Sequence, residues 1–303
     1  MTEPSKRKVT IGIPTFRRPE LLRRALDSVA QQDYQPLEVI VADNATEGHE
    51  VDAVIAAFRD RIDGLRYVRH ETNIGAVDNF EFCLAAATGD FFMWLADDDE
   101  LAPHSLAALA RPLETDTSVV TVVPYWRFMR SPDTGWVVEQ RVYESHSALL
   151  RVLRYVWRAN DAFYYGLHRR ADLLRCRFIP FLWPNATLGY NSTYPYLMTL
   201  VLAGRIVSAP DPRVEWINHS YSEKSYQKPG SLLVYVPKHI LRRINLHAIY
   251  FVQVYRSLGI LASLAVASVS IASLATEFVT LPARKLSQAL GLPVEALPAA
   301  KKP

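Results

Sequence analysis

Short apolar runs alternate with longer stretches of helical spacing over the first 125 or so residues. Val9 to Ile13 is an apolar run stopped by Pro14 and reads as a buried strand. Pro19 suits the first turn of a helix and Glu20 its positive end; Leu21, Leu22, Ala25, Leu26 and Val29 then recur at helical spacing. Leu37 to Ala42 predicts the next strand, ending at Asp43-Asn44. Val51 to Arg61 predicts an amphipathic helix with Val54, Ile55 and Phe58 inward. Leu65 to His70 is strand-like, Val77 to Ala87 helical, and Phe91 to Leu95 a further apolar strand. A helix from Pro103 to Leu113 and a strand at Val119 to Val123 follow. Strands alternating with helices predict an α/β fold with a doubly wound, mostly parallel, Rossmann-like sheet.

The C-terminal pattern is different. Ser257 to Thr276 carries no charge across about 20 positions, long enough to reach across a bilayer. Leu258, Ile260, Leu264, Val266, Val269, Ile271 and Leu274 spread around the whole helical circumference, which predicts burial on every side, by protein or by lipid. Interleaved Ala and Ser allow close helix contact. The modest total hydrophobicity favours membrane-surface contact or self-association over a true span.

Composition changes the picture little. With 303 residues, 50% hydrophobic and 21% charged, the chain has core enough for one large or two modest domains. A formal charge of +3 is too small to argue for nucleic acid. Cys83 and Cys176 give neither a disulfide framework nor a metal-ligand spacing. Met1 to Lys8 is polar and lacks the apolar segment of a secretory signal. The expected location is cytoplasmic, with the inner face of the cell membrane as the place where the C-terminal stretch would act.

Candidate chemistry begins with what is missing. After the first strand stands Gly12-Ile13-Pro14-Thr15-Phe16-Arg17, not the Gly-x-Gly-x-x-Gly of a dinucleotide fold. Gly-Lys-Ser and Gly-Lys-Thr, which a P-loop needs, occur nowhere. Asp97-Asp98-Asp99 closes the apolar run Phe91 to Ala96, at the strand end where open α/β sheets bind ligands. Three adjacent carboxylates repel one another unless a positive charge sits among them. Oxygen-only ligands suit a hard divalent cation, Mg²⁺ or Mn²⁺, which in turn clamps phosphate oxygens. The bland alternative is a solvated acidic turn capping the next helix.

Five motifs then fall in order: Ile13-Pro14-Thr15-Phe16-Arg17, Val41-Ala42-Asp43-Asn44, Asn73-Ile74-Gly75 with Asn79, Gly89-Asp90, and Asp97 through Pro103. Together they resemble family 2 glycosyltransferases of the GT-A fold, over residues 9 to about 125. The Asn-Ile-Gly spacing and the Asp triplet look most like the branch that transfers deoxysugars, such as abequosyltransferases. The resemblance implies a GT-A sheet with a C-terminal helical extension. It divides the chain into a nucleotide-sugar-binding half (1–115), an acceptor-binding half (116–230) and a helical region for oligomer or membrane association (231–303). It implies that Asp43 accepts the imide N–H of a uracil or thymine ring. Pro14, Thr15 and Phe16 would wrap base and ribose, and Asn73 and Asn79 would line the nucleotide cleft. Arg17 would meet a phosphate or stand solvated beside Arg18. Alignment on Pro103 makes Asp98 the direct metal ligand, with Asp97 and Asp99 supporting and Asp97 facing either ribose or metal. His219 falls where related enzymes carry a metal- or phosphate-contacting His.

The implied reaction is displacement at the anomeric carbon of a nucleoside-diphosphate sugar, inverting, onto a glycan, lipid-linked or small-molecule acceptor. The family's Glu-Asp base pair maps near Ser192, Thr193 and Tyr194, ahead of an apolar helix from Tyr196 to Ala203, and none of these is acidic. Asp161 is the candidate base, with helix capping as its other role; Asp211 and Glu215 are further candidates. Arg151, Arg154, Arg158, Arg169, Arg170, Arg175 and Arg177 form either a solvated face or the seat of a phosphorylated acceptor. The aromatic stretch Phe178 to Tyr196 would stack on sugars or pack in a core. Two other classes remain: a sugar-phosphate nucleotidyltransferase, opposed by the missing glycine-rich loop, and a catalytically silent binder of sugar nucleotides or glycans.

Overall fold

The computed structural model describes residues 6–131, 134–138, 140–179, 193–211, 213–218 and 232–289. His219, Ser192 and the middle of the aromatic stretch, with Trp183 and Tyr190, lie outside them. The first half runs β1 (Val9–Thr15), α1 (Pro19–Ala30), β2 (Leu37–Asp43), α2 (Glu50–Phe58), β3 (Leu65–Arg69), α3 (Ala76–Ala86) and β4 (Phe91–Trp94). There follow β5 (Asp99–Leu101), α4 (Ser105–Thr115), β6 (Val119–Val123), β7 (Tyr125–Ser131) and β8 (Thr134–Val138). Next come α5 (Ala148–Trp157), a 3-10 turn (Ala162–Tyr165), β9 (Leu167–Arg169), α6 (Arg170–Leu173), α7 (Thr193–Ala203), β10 (Arg205–Ser208), β11 (Glu215–Asn218), α8 (Leu232–Leu258) and α9 (Ile260–Ala289).

Seven strands form one sheet in the order β10-β6-β9-β4-β1-β2-β3, all parallel except β9. β1, β2, β4 and β6 are buried at every position, which explains why they read as mainly apolar runs, with Thr10, Glu38 and Thr121 as buried polar exceptions. β3 is the edge and is only half-buried. Gly12 lies in the middle of β1 because α3 crosses it closely: a Cβ there would come within 2.6 Å of the Cys83 Cβ. It is a packing glycine, not a phosphate-loop glycine.

Two features depart from the expected sheet. β9 is inserted antiparallel between β4 and β6. A second, four-stranded sheet, in the order β5-β11-β7-β8, starts at the Asp triplet itself. These strands are three to seven residues long and carry little period for a sequence to display.

By contact the chain divides into two units. One unit comprises Met1–His146, Asn160–Arg177 and Ala203–Ser222; the other comprises Ser147–Ala159, Phe178–Leu202 and Glu223–Pro303. No boundary falls at 115/116, because β6 and β10 complete the sheet that β1 to β4 begin. Within the second unit α8 and α9 pack on each other, and α5 packs on both. Tyr155 of α5 lies 5.7 Å from the Tyr250 ring of α8, and Gln253 donates to the Pro195 carbonyl of α7 at 2.9 Å.

The charge-free stretch is not one helix buried all round. Gly259 adopts φ +85° and ends α8, so the apolar run is split between two helices. On α9 the buried stripe is small and largely polar: Ala262, Ser263, Val266, Ser270 and Ser273. Ser263 donates its hydroxyl to the Gly259 carbonyl, and Ser270 Oγ and His247 Nδ1 share a hydrogen bond at 2.9 Å. The opposite stripe is apolar and exposed, with Leu261 80%, Leu264 53% and Ile271 69% accessible. Among the described residues no helix is long and apolar enough to cross a membrane.

Candidate functional site

A cleft of about 380 Å³ opens where β1 and β2 end, within the size range of small-molecule sites. Pro14, Thr15, Phe16, Asn73, Asn79 and Asp97 line it, as expected, and so do Arg18, Asn44, Ala76 and Phe80. Asn79 is held by its own partners, donating to the Ala42 carbonyl and meeting His70 Nε2. Asn44 ties the loop after β2 to the Asn-Ile-Gly loop. Its amide donates to Asn73 Oδ1 at 3.0 Å, and its carbonyl accepts from the Ile74 N–H at 2.8 Å.

Arg17 does not reach the cleft. Its φ of +56° turns the side chain out to Glu47 at 2.8 Å, with its guanidinium over the Phe16 ring. Arg18, the residue before Pro19, takes the place expected of Arg17. The signal was the Arg-Pro pair: the residue ahead of a helix-opening proline is held out of the helical region and directs its side chain from the helix start.

Asp43 lies behind the cleft wall, with no exposed surface. One carboxylate oxygen accepts the Thr46 N–H at 2.9 Å; the other accepts Tyr67 Oη at 2.9 Å and Arg69 Nε at 3.1 Å. In this arrangement the carboxylate fixes the turn that presents Asn44. That partner set comes from β3, which a reading of β2 alone does not reveal.

The three triplet residues have three different environments. Asp97 is buried and accepts Thr15 Oγ1 at 2.8 Å and Arg18 Nη1 at 3.1 Å. Burial, with Asp98 alongside, pushes its carboxyl above the usual range against the opposing pull of Thr15 and Arg18. Asp98 is more accessible than Asp97 and meets Arg18 Nη1 at 3.4 Å. Asp99 is buried at the start of β5, in register with Asn218 of β11. Among the described residues no three His, Cys, Asp or Glu side chains converge as a protein-only metal cage. A Mg²⁺-like ion needs no such cage, since one or two carboxylates plus phosphate oxygens suffice. Asp97 and Asp98 fit that donor set.

The base candidates separate. Glu215 is held by Arg127 through both oxygens, and Asp211 is clamped by Arg213, which brings its carboxyl down to about 2. Neither is poised to take a proton. Asp161 is exposed, and the capping role considered for it belongs to its neighbour: Asn160 Oδ1 accepts the Ala162 N–H at 2.6 Å. The buried phenol of Tyr165 feels the charges of both Asp161 and the triplet. It is raised first by burial and then by the charges of Asp99, Asp98 and Asp161, so all three acidic groups act on one ring. That ring sits 4.8 Å from Trp216 and 6.0 Å from Trp126 of the second sheet.

The arginine-rich region is not simply a solvated face. Arg151 is buried and donates to the Val201 and Leu202 carbonyls at the end of α7. Arg169 donates to the carbonyls of Leu113, Asp116 and Val119. Arg151 thereby closes off carbonyls at the C-terminal end of α7, and Arg169 ties the end of α4 and the turn after it to β6.

The sheet order, the cleft at the strand ends and the carboxylates beside it define a GT-A architecture. The family model described as glycosyl transferase family 2 matches residues 10–174, more than half of the chain, and the chain belongs to that family. The abequosyltransferase RfbV of Salmonella typhimurium is 28% identical over 240 residues, 76% of this chain and 64% of that protein. The GalNAc(5)-diNAcBac-PP-undecaprenol beta-1,3-glucosyltransferase of Campylobacter jejuni is 32% identical over 103 residues, 34% of this chain and 33% of that protein. The chain thus spans less than two thirds of the length of either. Among solved structures, S. aureus TarS 1-349 in complex with UDP superposes with a TM-score of 0.62 at 16% identity, over 90% of this chain and 72% of that one. That likeness is one of fold.

Proposed function

We propose that the chain transfers a sugar from a nucleoside-diphosphate donor to a glycan or lipid-linked acceptor, with inversion and with Mn²⁺ or Mg²⁺ bound at Asp98. The observation that carries this reading is the cleft whose wall joins Thr15, Asn44 and Asn73 to Asp97 and Arg18. Amides and a hydroxyl at one end suit a nucleoside. Carboxylates and a guanidinium at the other suit a diphosphate and its counter-ion. When bound, the cation would neutralise the charge that builds on the departing diphosphate. Asp97, held between Thr15 and Arg18, lines the cleft, and Asp98, the more exposed carboxylate, joins it through Arg18. Asp161 is proposed as the base that takes the acceptor's proton, on the strength of its exposure and its shared neighbourhood with Asp98 and Asp99. The names of the relatives, an abequosyltransferase and a glucosyltransferase acting on a polyprenyl-diphosphate glycan, support a surface-glycan acceptor. The exposed stripe of α9 is proposed as the surface by which the protein associates with a second copy or with the inner face of the membrane.

Thermal shift with UDP, TDP, CDP and GDP, each with and without Mn²⁺, tests the donor class. Stabilisation by one nucleotide that depends on Mn²⁺ is the expected result. Sugar-nucleotide turnover then separates a transferase from a silent binder, and pyrophosphate release would mark a nucleotidyltransferase instead.

A further inference from the structure

Arg18 stands where a cation is called for. Its Nη1 lies 3.1 Å from Asp97 Oδ1 and 3.4 Å from Asp98 Oδ2, bridging both carboxylates with a single nitrogen. Guanidinium does not lose its proton at any pH the protein meets, so this bridge is a fixed positive charge. The side chain is half-exposed and lines the cleft, whereas Asp97 is buried. Among the described residues its Nε and Nη2 N–H groups meet no protein acceptor, which leaves three donors on the fork unused. Apart from that bridge the residue is anchored through its backbone, at the cap of α1, with its carbonyl accepting the Leu22 N–H. Its charged end can therefore leave without disturbing the helix.

We propose that Arg18 is an exchangeable counter-cation for Asp97 and Asp98. In the unloaded protein it neutralises the pair. When the metal and the nucleoside diphosphate enter, the guanidinium gives up the carboxylates and takes an oxygen of the diphosphate with its unused donors. A divalent cation on the same two carboxylates would otherwise stand a few ångströms from a like charge, so each occupancy weakens the other. The buried Thr15 hydroxyl holds Asp97 during the exchange, because its bond to Oδ2 does not involve Arg18. This makes metal and nucleotide binding mutually dependent: free metal has to displace Arg18 without compensation, whereas the metal–nucleotide pair provides a new anion for it. The proposal rests on the metal-dependent donor reading above.

The test is calorimetry on the full chain with three probes: Mn²⁺ alone, UDP alone, and UDP at saturating Mn²⁺, the last repeated with the nucleotide that thermal shift selects. In Arg18→Gln, Mn²⁺ alone should bind about thirtyfold more tightly than in the parent, the effect of removing one unit charge about 4 Å from a divalent ion in bulk water. The same variant should bind the nucleotide with Mn²⁺ at least tenfold more weakly. Arg18→Lys, which keeps the charge, should retain the parent's weak binding of Mn²⁺ alone. Circular dichroism identical to the parent's shows that the fold is intact. Unchanged or weaker Mn²⁺ binding in Arg18→Gln overturns the exchange while leaving the donor reading in place. Loss of every Mn²⁺ effect in parent and variants alike overturns both, and Asp98→Asn separates the cases, since it should abolish Mn²⁺ binding only if the carboxylates are the ligands.

Discussion

Asp98 differs from Asp97 in being reachable: its side chain is 24% exposed, and that of Asp97 is 7%. Asp98→Ala should abolish the Mn²⁺-enhanced affinity for a nucleoside diphosphate and leave the melting temperature nearly unchanged, because little packing depends on it. Calorimetry showing equal affinity in variant and parent would sink the metal assignment. Asp43 gives the opposite expectation. Its carboxylate holds Thr46, Tyr67 and Arg69, and each hydrogen bond to a charged group is worth about 1.5–3 kcal/mol. Asp43→Asn should lower stability by about that amount and weaken all nucleoside diphosphates by a similar factor. Denaturant melts with a binding panel check this. A loss confined to pyrimidine diphosphates at unchanged stability would return Asp43 to base recognition.

Between elements, two buried titratable groups tie strands together and set the acid sensitivity of the sheet. Glu38 on β2 is buried, which alone would raise its carboxyl. Hydrogen bonds from Thr10, the Thr88 amide and hydroxyl, and Arg66 outweigh that and bring it down to about 2. A carboxylate with a depressed folded pKa contributes stability above its unfolded value near 4.5 and loses it as the pH falls towards 2. His168 on β9 is wholly buried, and burial lowers its imidazole to about 4 despite the bond to the Tyr164 carbonyl. That carbonyl can only accept, so Nε2 carries the proton and Nδ1 accepts from Thr121 Oγ1. A base with a lowered folded pKa contributes fully above 6.5, and the contribution is lost as the pH falls from there to about 4. The parent should therefore lose up to about 3 kcal/mol between pH 6.5 and 4, since taking up one proton on unfolding costs stability at about 1.36 kcal/mol for each pH unit crossed. His168→Gln should be less stable at pH 7 but lack that slope. Urea melts across the range decide it; an unaltered slope in the variant assigns the acid loss elsewhere.

The outer stripe of α9 is the part of the protein's surface least explained by its fold. Leu261, Leu264 and Ile271 are exposed, and Ile244, Val252 and Tyr255 of α8 are exposed as well. Exposed apolar side chains on these two helices are the basis for the proposed association surface. Removing the C-terminal helices would not test it cleanly, because α5 packs against both. Leu261→Ser with Ile271→Ser leaves the buried serine stripe untouched and should abolish self-association or liposome flotation while preserving Mn²⁺-dependent nucleotide binding. A parent that sediments as a monomer and ignores liposomes would assign this stripe no such role.

The strands Val9–Thr15, Leu37–Asp43 and Val119–Val123 were legible in the chain because burial on both faces writes a mainly apolar run, and helices α1 to α4 because one buried face writes a period. The ordered motifs likewise marked Thr15, Asn73, Asn79 and Asp97 as one wall before any fold was known. The second sheet and β9 were not legible, since strands this short are selected by the neighbours they pair with and not by their own pattern. The same holds for side chains at turns. Whether Arg17 or Arg18 enters the cleft depends on one positive φ, and whether Asp43 meets a ligand or the protein depends on Tyr67 and Arg69 arriving from the next strand. Local sequence determines which segments are strand or helix; which polar group remains open to a ligand is decided by what long-range pairing has already consumed.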